Sequence, residues 1–228
     1  MRGTLTAATG HLEALSRPRP GTWRHSQSRD RAPGSFLSSL TRVSVSADAQ
    51  ALIVVDMQCT FVVGEHAVPD AGPVRTAVNR QLQNARAAGC LVVHLQNDGA
   101  PDAPDAPGTD GWHLVSDVSL GERVVSKTKD DGFAETDLEA ILRGAQVSRL
   151  SICGVMSEMC VAATARGALQ RGFAVVMARD AHATYPVPEQ GPLAPAVAAR
   201  LVSRVAEWSL GDEPVLVDRS SAVQFTRS

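Results

Sequence analysis

"ALIVVDMQCTF", residues 51 to 61, decides the architecture. Its first five positions are all apolar, and Ile53, Val54 and Val55 are β-branched. A run this short with no polar face reads as a strand covered on both sides, the mark of a parallel sheet. Working outward, five more strands follow: "CLVVHLQ" (90–96), "ERVVSK" (122–127), "RLSICGV" (149–155), "FAVVMARDA" (173–181) and "PVLVD" (214–218). Helical spacing fills the gaps in "VRTAVNRQLQNARAAG" (74–89), "TDLEAILRGA" (136–145, with Thr136 as N-cap), "SEMCVAATARGALQRG" (157–172) and "PLAPAVAARLVSRVAEWSL" (192–210). This alternation predicts an α/β fold: a six-stranded parallel sheet flanked by helices on both faces, a Rossmann-like three-layer sandwich.

Residues 1–48 differ in kind. They hold seven arginines, many Ser, Gly and Pro, and few acids, and read as a disordered extension without the apolar core of a secretory signal. The domain is expected over 49–228. A net charge of −2 excludes a basic field for nucleic acid or an anionic membrane. The four cysteines (59, 90, 153 and 160) form no CxxC pair, which argues against zinc-ribbon and thioredoxin-like chemistry. Reduced thiols in a cytoplasmic protein are the expectation. No GxGxxG, P-loop, GxSxG or HExxH is present, and no histidines share a metal-ligand spacing, so neither cofactor nor metal is expected.

All 22 cationic side chains are arginine except Lys127 and Lys129, inside "RVVSKTKDDGF" (123–133). Ammonium is compact and its pKa is tunable, whereas guanidinium is a flat fork. Ligands of open parallel sheets bind at the carboxyl ends of the strands. Asp56, Lys127 and Cys160 follow three different strands to that edge. Ser157 is expected to cap the helix carrying Cys160, whose first-turn amides and dipole would lower the thiol pKa. A thiolate, a proton-carrying carboxylate and an ammonium make a nucleophilic hydrolase site. Each residue also has a plainer role: packing for Cys160, a turn for Asp56, a solvated charged loop for Lys127 and Lys129. Cys59 is ambiguous, Cys90 and Cys153 read as inert core, and His94 as a satisfied core group. Phe61, Gln96, Trp112 and Tyr185 lie just beyond strand ends and are expected to line the pocket.

The blocks "ALIVVDMQCTF", "RVVSKTKDDGF", "LSICGVMSEMCVAATARGAL" and "GFAVVMARDAHAT" resemble, in order and spacing, the isochorismatase-like cysteine hydrolases. The resemblance spans roughly Ala51 to Tyr185 and rests on D-x-Q, K-x5-F and G-V-x-x-x-x-C-V-x-x-T-A together. It implies Asp56 as general acid/base, Lys127 as its ammonium partner and Cys160 as nucleophile. It further implies a cis peptide at Val155–Met156, with the Met156 and Cys160 amides forming the oxyanion hole, and assembly as a homodimer or homotetramer. "NDGAPDAPDAPGTDGWH" lacks the paired histidines of the nicotinamidase metal site. "GVMSEMC" and "DAHATY" are similar to the streptothricin hydrolase-like subgroup, which opens a cyclic amide.

The resulting expectation is hydrolysis of a carbon–nitrogen bond (amide, ureido or cyclic amide) in a small molecule, through a thioester acyl-enzyme. Vinyl-ether hydrolysis of the isochorismatase type, and non-catalytic binding of a small molecule on the same fold, stand as alternatives.

Overall fold

The computed structural model describes residues 47–227; the extension read over 1–48 lies, but for its last two residues, outside them. In chain order the elements are β1 (Asp48–Ala49), β2 (Ala51–Val55), α1 (Cys59–Val62), α2 (Ala71–Ala87), β3 (Leu91–Asn97), β4 (Arg123–Lys127), α3 (Leu138–Gly144) and β5 (Arg149–Val155). After a π-helical turn at Ser157–Val161 come α4 (Ala162–Gln170), β6 (Ala174–Ala178), β7 (His182–Ala183), α5 (Ala199–Trp208), β8 (Val215–Val217) and β9 (Gln224–Phe225).

The main sheet runs β4-β3-β2-β5-β6-β8, all parallel, with short β7 joined to the end of β5. The six expected strands are thus present, plus β7 and a separate β1-β9 pair. Alternation along β2 explains its fully apolar sequence. Ala51, Ile53 and Val55 enter the core on one face with Leu138, Leu142, Ala165 and Phe173. Leu52 and Val54 enter the other with Val74, Val78 and Leu82 of α2. A strand with helices on both sides has no position left for a polar residue.

Two of the departures from the expected helix bounds have local causes. The second helix, α2, starts at Ala71 rather than 74, because Pro73 falls in the first turn, where a missing N–H costs no helical bond. Gly89, at φ +65, closes its far end. The fifth, α5, is shorter than the 192–210 pattern. Val187 and Val197 exchange two backbone bonds of 2.9 Å across an antiparallel bridge, closing 187–197 into a loop that turns at 191–194 and leaves no room for a helix there. Pro192 and Pro195 bias the residues before them away from helix.

The chain adds β3 and β4 on one side of β2, then crosses to place β5 on the other. That reversal opens a crevice at the carboxyl ends of β2 and β5.

Candidate active site

Register delivers the first residues to this crevice. Val55 pairs with Leu95 and with Gly154, while Asn97 pairs with Lys127, so Asp56, Asn97 and Lys127 finish on one rim. Asp56 takes a left-handed backbone at φ +47, which Asp tolerates better than most residues. Its N–H donates to the Leu95 carbonyl at 3.0 Å, and its own carbonyl accepts from Gln58 at 2.8 Å. The turn aims the carboxylate at Lys127, whose Nζ donates to Asp56 Oδ2 at 2.8 Å.

The same ammonium reaches Cys160 Sγ at 3.3 Å. Asp56, Lys127 and Cys160 are 1%, 2% and 6% exposed, so the three sequence-selected side chains form one buried cluster. A compact ammonium fits between a carboxylate and a sulfur, where a guanidinium would leave donors unpaired. Asp56 Oδ1 is buried and makes no hydrogen bond within the described residues.

The charges bias one another. Burial raises the Asp56 carboxyl above the ordinary carboxylate range, against the opposing pull of Lys127. Burial pulls the Lys127 ammonium down, but Asp56 and Cys160 outweigh it and hold it above the usual lysine range. The Cys160 thiol is pushed up by burial and by the Asp56 carboxylate, with Lys127 opposing. This corrects the lowered thiol pKa expected from helix position. Cys160 sits not in an exposed first turn but in a buried π-helical one, where Met159 departs from helical backbone (φ −101, ψ −107). Ser157 is likewise no N-cap: its hydroxyl lies 2.9 Å from His182 Nδ1. The peptide bond Val155–Met156 is cis.

The four expected pocket residues bond or pack among themselves and with neighbouring segments. Gln96 Nε2 donates to the Trp112 carbonyl (2.9 Å), the Trp112 indole to Asp98 (2.7 Å), and the Tyr185 hydroxyl to the His66 carbonyl (2.7 Å). Phe61 and Tyr185 pack on the α2-side core. Among the described residues none of the four hydrogen-bonds to the cluster. A cavity of about 690 Å³, bordered by Gln50, Cys90, Glu122 and Gln146, lies at the opposite, amino-terminal rim of the sheet, away from this chemistry.

Sequence reasoning missed two supports. Buried Gln58 clamps the ends of β2 and β3, donating to the Asn97 and Trp112 carbonyls and accepting from Asn97 N–H. Asn97 Oδ1 stands 3.5 Å from Lys127 Nζ, and its Nδ2 donates to Asp105. The D-x-Q spacing and the polar end of β3 carried the signal. Of the plainer readings, Cys153 is fully buried and His94 meets Glu122 at 2.9 Å, whereas Cys90, expected in the core, is half-buried and borders the amino-terminal cavity. Lys129 is exposed, and Asp131 instead faces Arg171 at 3.8 Å.

Asp98 and Asp105 are engaged by Trp112 and Asn97, and no group of three His, Cys, Asp or Glu gathers among the described residues. No helix among the described residues is long and apolar enough to cross a membrane.

Known proteins resemble this chain in sequence and fold. A streptothricin hydrolase from Streptomyces noursei is 53% identical over 194 residues, covering 83% of this chain and 77% of that protein. A cysteine hydrolase from Pseudomonas syringae pv. phaseolicola superposes with TM-score 0.69 at 26% identity, over 78% of this chain and 90% of its own. An N-carbamoylsarcosine amidase from Thermoplasma acidophilum gives TM-score 0.60 at 27% identity, over 75% and 95%. The isochorismatase domain model matches residues 50–199, a span that contains the switch-point crevice and all three clustered side chains. With that match, the chain belongs to the isochorismatase family.

Proposed function

We propose that this protein is a cysteine hydrolase of small-molecule carbon–nitrogen bonds. The observation that carries the reading is one ammonium, Lys127, within 2.8 Å of a carboxylate and 3.3 Å of a thiol in a buried crevice. Support also comes from relatives named as a streptothricin hydrolase and an N-carbamoylsarcosine amidase.

Because the thiol pKa is raised at rest, attack is coupled to proton removal rather than made by a standing thiolate. Sγ of Cys160 bonds to the substrate carbonyl carbon while its proton passes to Asp56, whose Oδ1 is free to receive it. Lys127 stays protonated and balances the charge moving between them. The carbonyl oxygen becomes an oxyanion, which the Met156 and Cys160 amides receive. Collapse breaks the C–N bond as Asp56 returns the proton to nitrogen. The amine departs, or stays tethered if the amide was cyclic, and a thioester remains. Water then gives a proton to Asp56 as its oxygen bonds to the acyl carbon; the C–S bond breaks, Asp56 returns the proton to sulfur, and the carboxylic acid leaves with the thiol regenerated.

The test is Cys160→Ala on a panel of primary, ureido and cyclic amides, with amine release as the readout. Turnover is expected to vanish while the fold, read by circular dichroism, persists. Retained amine release would remove Cys160 as the nucleophile, and turnover confined to a vinyl-ether acid added to the panel would favour vinyl-ether hydrolysis. A wild-type chain inert on amides and vinyl ether alike would leave a binding protein.

A further inference from the structure

A second buried polar chain grips the turn that carries Cys160 and takes no part in the steps above. Ser157 Oγ lies 2.9 Å from His182 Nδ1 and 2.9 Å from Ser203 Oγ. His182 Nε2 faces Glu207 Oε1 at 3.5 Å, longer than an ordinary hydrogen bond, so this link is electrostatic. Glu207 Oε2 binds Arg179 and lies 3.5 Å from Arg204. Ser157, His182 and Glu207 are 1%, 5% and 4% exposed. The chain therefore joins the catalytic turn to β7 and α5.

Its proton order follows from charge. Burial works against ionisation of Glu207, but His182, Arg179 and Arg204 together hold its carboxyl below the usual range. A carboxylate only accepts, so a hydrogen on Nε2 is assigned to face it, which leaves Nδ1 as an acceptor. Ser157 then donates to Nδ1 and accepts from Ser203. Ser157 Oγ meets His182 and Ser203 and bonds to none of Asp56, Lys127 and Cys160, so the chain is read as a support of the turn.

The turn itself needs an outside anchor. Met156, Ser157 and Cys160 lie within five residues, and Met159 breaks the helical backbone between them. We propose that Ser157 and His182 are positioning residues: the Glu207–His182–Ser157 chain holds the 156–160 turn so that the Met156 amide and the Cys160 sulfur address one carbonyl. The inference rests on the cysteine-hydrolase reading for its kinetic consequence alone. Misplacement of reacting groups by about 1 Å costs on the order of 100-fold in rate.

Two substitutions at one position separate positioning from plain structural support. In His182→Asn the amide sits where Nδ1 was, so its oxygen still accepts from Ser157. In His182→Gln the amide reaches where Nε2 was and serves Glu207 instead. The measurements are hydrogen exchange by mass spectrometry on all variants and steady-state kinetics on the amide panel. His182→Gln and Ser157→Ala are expected to raise exchange tenfold or more in the peptide covering 156–161, with α2 and β6 unchanged. Their kcat should fall roughly 10- to 100-fold at a KM within about twofold of wild type. His182→Asn should restore both readouts to within about threefold. Any other order overturns the proposal, including a protective Gln, equal protection in all four proteins, or faster exchange throughout the chain. A wild-type chain that turns over no amide refutes the hydrolase reading, and the exchange order alone then decides this one.

Discussion

Lys127→Met removes the one cation that, among the described residues, balances Asp56 inside the crevice. The side chains are of similar length, so the loss is mainly electrostatic. At 2.8 Å, with an effective dielectric of about 20, the lost attraction is about 6 kcal/mol before desolvation is counted. The variant escapes part of this by protonating Asp56, which is 1% exposed and has no other cation beside it. Holding a proton at pH 7 on a group of ordinary pKa ~3.9 costs about 4 kcal/mol, which sets the ceiling. The sign follows from linkage. A carboxyl raised above its unfolded value contributes stability that is full below the unfolded pKa and fades as pH rises. Relative to wild type, the variant therefore weakens with rising pH. The gap opens above the wild-type Asp56 pKa, itself raised by burial, and widens by up to about 1.4 kcal/mol per pH unit. Urea unfolding at pH 5, 6 and 7, at fixed ionic strength, measures it. Asp56→Asn/Lys127→Met carries no titrating group there and should lie parallel to wild type. A gap of the same size at pH 5 and pH 7 would refute the argument, because no proton would then be linked to the loss.

Four further outcomes follow from the same structure. The acidic limb of kcat/KM should lie above the ordinary carboxylate range near 4, because burial raises Asp56, and activity is lost as pH falls through it; a limb at or below 4 removes Asp56 as the base. No alkaline loss from Lys127 is expected below about pH 9, since Asp56 and Cys160 hold its ammonium above the usual range. Phe173→Ala should cost about 3–5 kcal/mol by chemical denaturation, as the ring is 2% exposed and stacks on Phe133 at 5.9 Å. Gly154→Ala should cost about 3 kcal/mol or more, roughly 6–12 °C in Tm, because φ is +124 and a methyl group would fall on the Val55 backbone; an unchanged melting curve would contradict the β2–β5 register.

What could be read before folding was whatever the chain states within a few residues. The apolar run of β2 announced a doubly covered strand because each of its faces meets a helix. Asp56, Lys127 and Cys160 could be placed on one rim because each follows a strand and parallel strands share their ends. Their distances could not, since these depend on Asn97 pairing with Lys127 and on the tight turn at Asp56. The thiol shows why local reasoning stops there. A helix dipole is a property of neighbouring residues and favours an anion, but desolvation is imposed by elements remote in sequence and here acts more strongly. Ser157 fails for the same reason. Its spacing suits a cap, yet His182 lies 25 residues away and Ser203 lies 46, and the bonds they offer replace the local one. Residues whose chemistry depends on who arrives from elsewhere are therefore the ones the sequence leaves open, and in this chain they surround the sulfur.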